Sequence, residues 1–364
     1  MITNTGSRRL AVTAVGLGLI ALPALSACSS SEASGSGESK TVTLVSHDSF
    51  VVSKSVLKDF EKQSGYKVRV LKDGDAGQAV NKAILTKDNP QGDVFFGVDN
   101  TLLSRALDNG LFQPYEAKGA DLVLPEYRID QDKHRVTPID SGDICVNYDK
   151  AYFSEHKLKP PQSFDDLAEP AYKNLLVTEN AATSSPGLGF LLGSAAHYGD
   201  KGWEDYWKKL KANGVKVVDG WEQAYNEEFS GSAGGKKAKA DRPLVVSYAS
   251  SPPAEVIYAD PKPSTAPTGV ATGTCFRQVE YAGLLSHAGN AKGGKALLDF
   301  MLSKEFQDDM PLSMFVYPVR EAAQVPPEFT RYGPPAKDPE TLAPAKIAAD
   351  RDQWVKSWTS LVLK

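Results

Sequence analysis

Two rhythms of apolar residues alternate through the first part of the folded chain. Thr41–Ser46 reads TVTLVS, a β-branched run that predicts a strand. Val52, Val56, Leu57 and Phe60 then recur at the spacing of one helix face, and Gly65 follows where such a helix would end. The exchange repeats: a strand over Tyr66–Leu71, a short helix over Gln78–Thr86, a strand over Gly92–Val98, and a helix over Thr101–Asn109 closed by Gly110. Gly92–Val98 is apolar almost throughout, as in a parallel strand covered on both faces. Strand and helix in strict alternation predict a doubly wound α/β lobe.

Further along, Asp143–Phe153 reads as a strand leaving this lobe. Asn174–Glu179, Gly214–Gly220 and Arg242–Pro252 read as strands of a second lobe, with helices between them, and Gly273–Gly283 as a strand returning. The second lobe, 143–275, is thus expected to be inserted into the first, 41–142 with 276–364, whose C-terminal part can touch both. Asp143–Asn147 and Cys275–Val279 would be two crossing strands at a hinge, with a ligand cleft between the lobes. Ser230–Asp241, SGSAGGKKAKAD, reads as a mobile low-complexity loop. No internal repeat is visible. In doubly wound lobes ligands meet the carboxyl ends of the strands. The loops there, Ser46–Phe50, Lys72–Gly77 and Gly97–Asn100, carry Asp48, Asp73 and Asp99, each of which suits a helix N-cap equally well.

The amino terminus changes the picture of where the protein works. Arg8 and Arg9 precede an apolar run, Leu10–Leu22, too short to span a bilayer and suited to a signal-peptide core. It ends in Leu25-Ser26-Ala27-Cys28, the pattern of a bacterial lipoprotein signal, so residues 1–27 are expected to be removed and Cys28 to carry lipid. The stretch 28–40 has no apolar side chain larger than alanine after Cys28 and predicts a flexible tether. The whole chain has 364 residues, and the roughly 320 that remain to fold exceed what one core usually carries, which agrees with two lobes. A formal net charge of −4, without a basic stripe, gives no reason to expect nucleic acid. Of the three cysteines, Cys145 and Cys275 are left; an even pair outside the cytoplasm, on strands expected to be neighbours, predicts a disulfide.

Catalytic and metal motifs are absent from the sequence. There is no H-E-x-x-H, C-x-x-C or G-x-S-x-G, and the histidines at 47, 134, 156, 197 and 287 are scattered, so no catalytic residue or metal ligand is assigned. Asp73-Gly74-Asp75 lacks the later ligands of a calcium loop, having Ile84 where glutamate is needed. Gly187, Gly189 and Gly193 with Asp219 loosely mimic a dinucleotide fingerprint, but Thr183–Pro186 separates strand from glycines where the turn should be tight. Those residues, TSSPG, better predict a helix start with Ser185 as N-cap and Pro186 in the first turn. Hydroxyls beside free N–H groups there either just cap the helix or seat a phosphate or carboxylate. Trp221 and Tyr225, at i and i+4 after a strand, share a helix face; Tyr248 is expected at the same edge, and the run Met314–Val319 supplies Phe315 and Tyr317. Such a cage beside aspartates suits a flat cationic ring.

The chain resembles the substrate-binding proteins of ABC importers, most of all the thiamine-binding ones. The resemblance covers nearly all of the folded part. HDSF, KDG, GVDNTLL, NYDK, PPQSFDDL, TSSPGLGFLL, DGWEQAY, VVSYASSP, YPV and AADRDQWVKSW carry it, in that order. It implies a two-lobed periplasmic-binding-protein fold, type II-like, that binds thiamine, thiamine monophosphate or thiamine diphosphate and no cofactor. It further implies delivery to a membrane permease and a monomeric state. Asp73 and Gly74 match residues that meet the ligand, Ser184 and Ser185 a phosphate-side region, and Trp221, Tyr225 and Tyr248 the aromatic wall. The family often has tyrosine where this chain has His47 and Ala254, and tryptophan where it has Phe315. A related binding protein for ferric iron would need adjacent tyrosines, which the sequence lacks, and an exported phosphate-ester hydrolase would need a nucleophile or metal motif.

Overall fold

The computed structural model describes residues 39–364. The expected signal segment, Cys28 and nearly all of the tether lie outside the described residues. Ten strands form one continuous curled sheet: β1 Thr41–Ser46, β2 Lys67–Lys72, β3 Val94–Asp99, β4 Phe112–Gln113, β5 Thr137–Asp149, β6 Leu176–Glu179, β7 Lys216–Val218, β8 Leu244–Tyr248, β9 Thr268–Leu285 and β10 Tyr317–Pro318. The order along the sheet is β2-β1-β3-β9-β5-β8-β6-β7. β1, β2 and β3 are parallel, as are β6, β7 and β8, so each end of the sheet is a wound α/β unit. Between them run β5 and β9, antiparallel from Thr137↔Ala282 to Asp149↔Thr268. These are the crossing strands, and both are longer than expected, because each contributes edge pairing to both ends of the sheet.

Two register shifts interrupt this pair, at Pro138/Asp140 and at Ile144/Val146. The second leaves Cys145 opposite a bulged stretch of β9, and there Cys145 and Cys275 are joined with 4.2 Å between their Cα atoms. The expected disulfide is therefore present, in a small buried cluster with Ala249 and Ala336. Helices cover both faces of the sheet. The helical stretch Ser185–Ala212 is broken at Gly199, whose φ is +71°; its second part and the C-terminal helix Pro344–Val362 pack together around Trp207 and Trp358, whose rings meet edge-on at 5.4 Å. Among the described residues no helix is long and apolar enough to cross a membrane.

Several local expectations are corrected. Asp143–Phe153 is not one strand: Asp149 ends β5 and caps the helix Lys150–Glu155 with its side chain. The helix expected from Gln78 begins at Ala76, because Asp75 is its N-cap. Ser230–Asp241 is not simply a loop. It contains the helix Ala233–Ala238, capped by Ser232, whose hydroxyl accepts from Gly235 N–H and donates to Tyr225 C=O. A serine cap and a tertiary hydrogen bond outweigh its glycine content.

Candidate functional site

Strand ends and helix starts from the two ends of the sheet converge on a cavity of about 240 Å³. Trp221 opens a single helical turn, Trp221–Gln223, which widens into a π-turn at Ala224–Glu228. The i, i+4 pair survives this widening: the Trp221 and Tyr225 rings stack at 5.0 Å and 15°. Trp221 donates its indole N–H to Ser247 Oγ at 2.9 Å, and Tyr225 its hydroxyl to Glu255 at 3.1 Å. Tyr248 lies 6.5 Å from Trp221 at the end of β8. Phe315, across the cavity, stacks on Phe329 and has φ of +56°, a left-handed conformation that non-glycine residues rarely hold. Observed strain of this kind clusters at ligand sites. Ala254 also lines the cavity.

The polar lining is acidic. Asp75, Glu222 and Glu280 line the cavity, while among the described residues no lysine or arginine does. His47 approaches Glu280 at 3.6 Å, but burial, with Lys72 nearby, pulls its imidazole down to about 4, so it is neutral at pH 7. Burial pushes Asp75 up to about 6, against the pull of N–H groups from Trp221 and Ala76. Glu280 is driven well above the carboxylate range, first by burial and then by Asp140, its direct neighbour in the β5–β9 register.

The mouth of helix Ser185–Ala212 differs from expectation. Ser184, not Ser185, is the N-cap residue, and its side chain makes no capping bond. Two carboxylates of the protein already occupy this mouth. Asp75 accepts from Ser185 N–H at 3.3 Å and from Trp221 N–H at 2.9 Å. Asp99 accepts from the Ser185 hydroxyl and, at 2.9 Å, from Gln278. The Ser185 N–H and hydroxyl are therefore both already bonded within the protein. Ser185 borders the aromatic cavity, whereas Ser184 faces a second cavity of about 270 Å³ beside Arg105 and Arg351.

Of the residues singled out in the sequence, His47, Ser185, Trp221, Tyr225, Tyr248 and Phe315 are brought together around one cavity. Asp73, Gly74, Ser184 and Asp99 are not among its lining. Gly74 has φ of +85° and turns the chain, so Asp73 pairs with Lys82 away from the cavity lining while Asp75 reaches the Trp221 N–H. Asp99 is wholly buried and holds Thr101 and Leu102 N–H groups as a local cap. Sequence reading missed Asp75, Asp140 and Glu280. The usable signal was a carboxylate inside an otherwise apolar strand, as in Gln278-Val279-Glu280-Tyr281, since such a charge is costly unless it has a task.

The profile of the family described as bacterial extracellular solute-binding protein matches residues 55–338. A "Thiamine-binding periplasmic protein" of Escherichia coli (strain K12) is 31% identical, over 88% of this chain and 93% of that one. A solved structure titled "Periplasmic thiamin binding protein" superposes with a TM-score of 0.76 at 29% identity, covering 88% of this chain and 96% of the other. An apo ferric ion-binding protein A from Pasteurella haemolytica shares the fold, with a TM-score of 0.70 at 17% identity over 89% and 98% of the two chains.

Proposed function

The chain belongs to the bacterial extracellular solute-binding proteins, and from that premise we propose that it captures thiamine and delivers it to the permease of an ABC importer. The observation that carries the ligand is the pairing of an aromatic wall with an acidic lining that holds no lysine or arginine. A permanently cationic, flat heterocycle satisfies both: the ring stacks on an aromatic face and its charge meets carboxylates. The relative from Escherichia coli, named for thiamine binding, supports the same choice.

Phosphorylated forms fit less well. Each phosphate would enter beside Asp75 and Glu280 without a cation to receive it, and unit like charges 4 Å apart repel by at least about 1 kcal/mol even in water. We therefore expect thiamine to bind about tenfold more tightly than its diphosphate. Titrating the protein with thiamine, thiamine monophosphate and thiamine diphosphate tests this; equal or reversed affinities would remove the charge argument. A ferric ion is the weaker reading. It calls for phenolate ligands, and burial holds the Tyr225 and Tyr248 phenols protonated, with the Tyr225 hydroxyl already given to Glu255.

The protein acts as a binder without turnover, with 143–275 as one lobe and 41–142 with 276–364 as the other, working as a monomer. The LSAC signal ending at Cys28 supports a lipid anchor on the outer side of the cell membrane. A Cys28→Ala form should appear in the soluble fraction after cell breakage, while the native form stays with membranes. A soluble native protein that keeps Met1 would end the lipoprotein assignment.

A further inference from the structure

The buried carboxyls behind the cavity are more numerous than the aromatic cage requires. Asp140 on β5 and Glu280 on β9 are register partners, 0% and 4% exposed. Only Glu280 reaches the cavity; Asp140 and Glu280 are within hydrogen-bond reach of each other, and the Asp140 oxygens have no other partner among the described residues. Around Glu280 stand Asp99 from β3, Asp75 from the loop after β2, His47 from the loop after β1 and Tyr248 from β8. Lys72 lies behind His47 and donates to the Asp48 carbonyl at 2.7 Å. Among the described residues no lysine or arginine lines the cavity with Glu280.

We propose that Glu280, backed by Asp140, is the counter-ion of the cationic ring, and that this carboxyl pair releases a proton when the cation enters. The inference rests on the thiamine reading. Two adjacent carboxylates in a dry site cannot both ionise, so the free protein keeps a proton on the pair. Burial and mutual repulsion raise both groups, in agreement with this. A permanent cation against Glu280 favours the charged form. The carboxyl O–H bond breaks, its electron pair stays on oxygen, and the proton goes to solvent, because His47 is too weak a base to keep it.

The sign follows by linkage. The pair's pKa is lower in the complex than in the free protein, so the complex binds fewer protons and affinity rises with pH between the two values. The limit is about tenfold per pH unit for one proton. Below that window the pair is neutral in both states and the gain is lost.

Calorimetric titration of the full-length protein with thiamine at one pH, in buffers of different ionisation enthalpy, counts the protons directly. The expected result is release of about half to one proton per thiamine near pH 7. Affinity is expected to fall at least tenfold between about pH 8 and about pH 5.5. Glu280→Gln should fold normally, bind about tenfold more weakly at pH 8, and lose both the proton release and the pH dependence. Asp140→Asn should release fewer protons and hold its affinity better at low pH, since Glu280 alone ionises more easily. Proton release that survives in Glu280→Gln would place it on Asp75 and overturn the assignment. So would wild-type binding without proton exchange. Failure of thiamine to bind the wild type at all would instead overturn the ligand reading on which this one stands.

Discussion

Replacing Trp221 with alanine is expected to weaken thiamine binding by about 30-fold with little change in stability. Trp221 is the half-buried end of a stack whose inner member, Tyr225, is buried. Tyr225 covers one indole face, and Trp221 lines the cavity. A desolvated cation over an indole face gains about 2 kcal/mol, which corresponds to that factor. The fold should tolerate the loss: Ser247, which accepts the indole N–H, keeps Ser251 as a partner at 2.9 Å. Trp221→Phe retains a ring without the larger π-face and should lose only a few-fold. Calorimetry reads both variants without depending on tryptophan fluorescence. An alanine variant within about threefold of wild type would mean that the ring of the ligand rests elsewhere.

Removing the disulfide is expected to have the largest effect on stability. Cys145 and Cys275 are separated by 130 positions, and the chain-entropy model assigns a loop of that length roughly 5 kcal/mol. For about 320 folded residues this corresponds to a fall in Tm of about 5–8 °C. The double Cys145→Ser, Cys275→Ser variant also buries two hydroxyls in a cluster formed with Ala249 and Ala336, which adds to the loss. Differential scanning calorimetry of the variant against the oxidised native protein reads the shift. A change below about 2 °C would show that the bulged crossing of β5 and β9 keeps its register without the bridge.

What the sequence allowed to be read, and what it hid, follows from the range of the interactions concerned. The strands and helices of the first unit, β1 to β3, announce themselves by local apolar spacing, and the observed elements follow it closely. Trp221 and Tyr225 were also legible, because a stack at i, i+4 is a local geometry. The lysine–aspartate–glycine–aspartate run at 72–75 marks the limit. Which aspartate enters the cavity is decided by the left-handed turn at Gly74 and by where Trp221 N–H lies, 146 positions away. The Asp140–Glu280 pair is equally non-local, since it exists only through the β5–β9 register. The helix mouth at Ser185 illustrates the same point from the other side. Its hydroxyls and N–H groups signal an end that favours anions, but not that Asp75 and Asp99 bond to Ser185 there.

These carboxylates also change the meaning of the cavity. With an external anion seated at the helix, the site would favour thiamine phosphates. With Ser185 bonded to Asp75 and Asp99 and Glu280 on the wall, we expect it to favour the cation without its phosphates. Equilibrium titration of the purified wild-type protein with thiamine and with thiamine diphosphate, side by side at pH 8, tests this most directly. Saturable one-to-one binding of thiamine in the micromolar range or tighter, with the diphosphate about tenfold weaker, is the result the account predicts. No binding of thiamine, or tighter binding of the diphosphate, would contradict it.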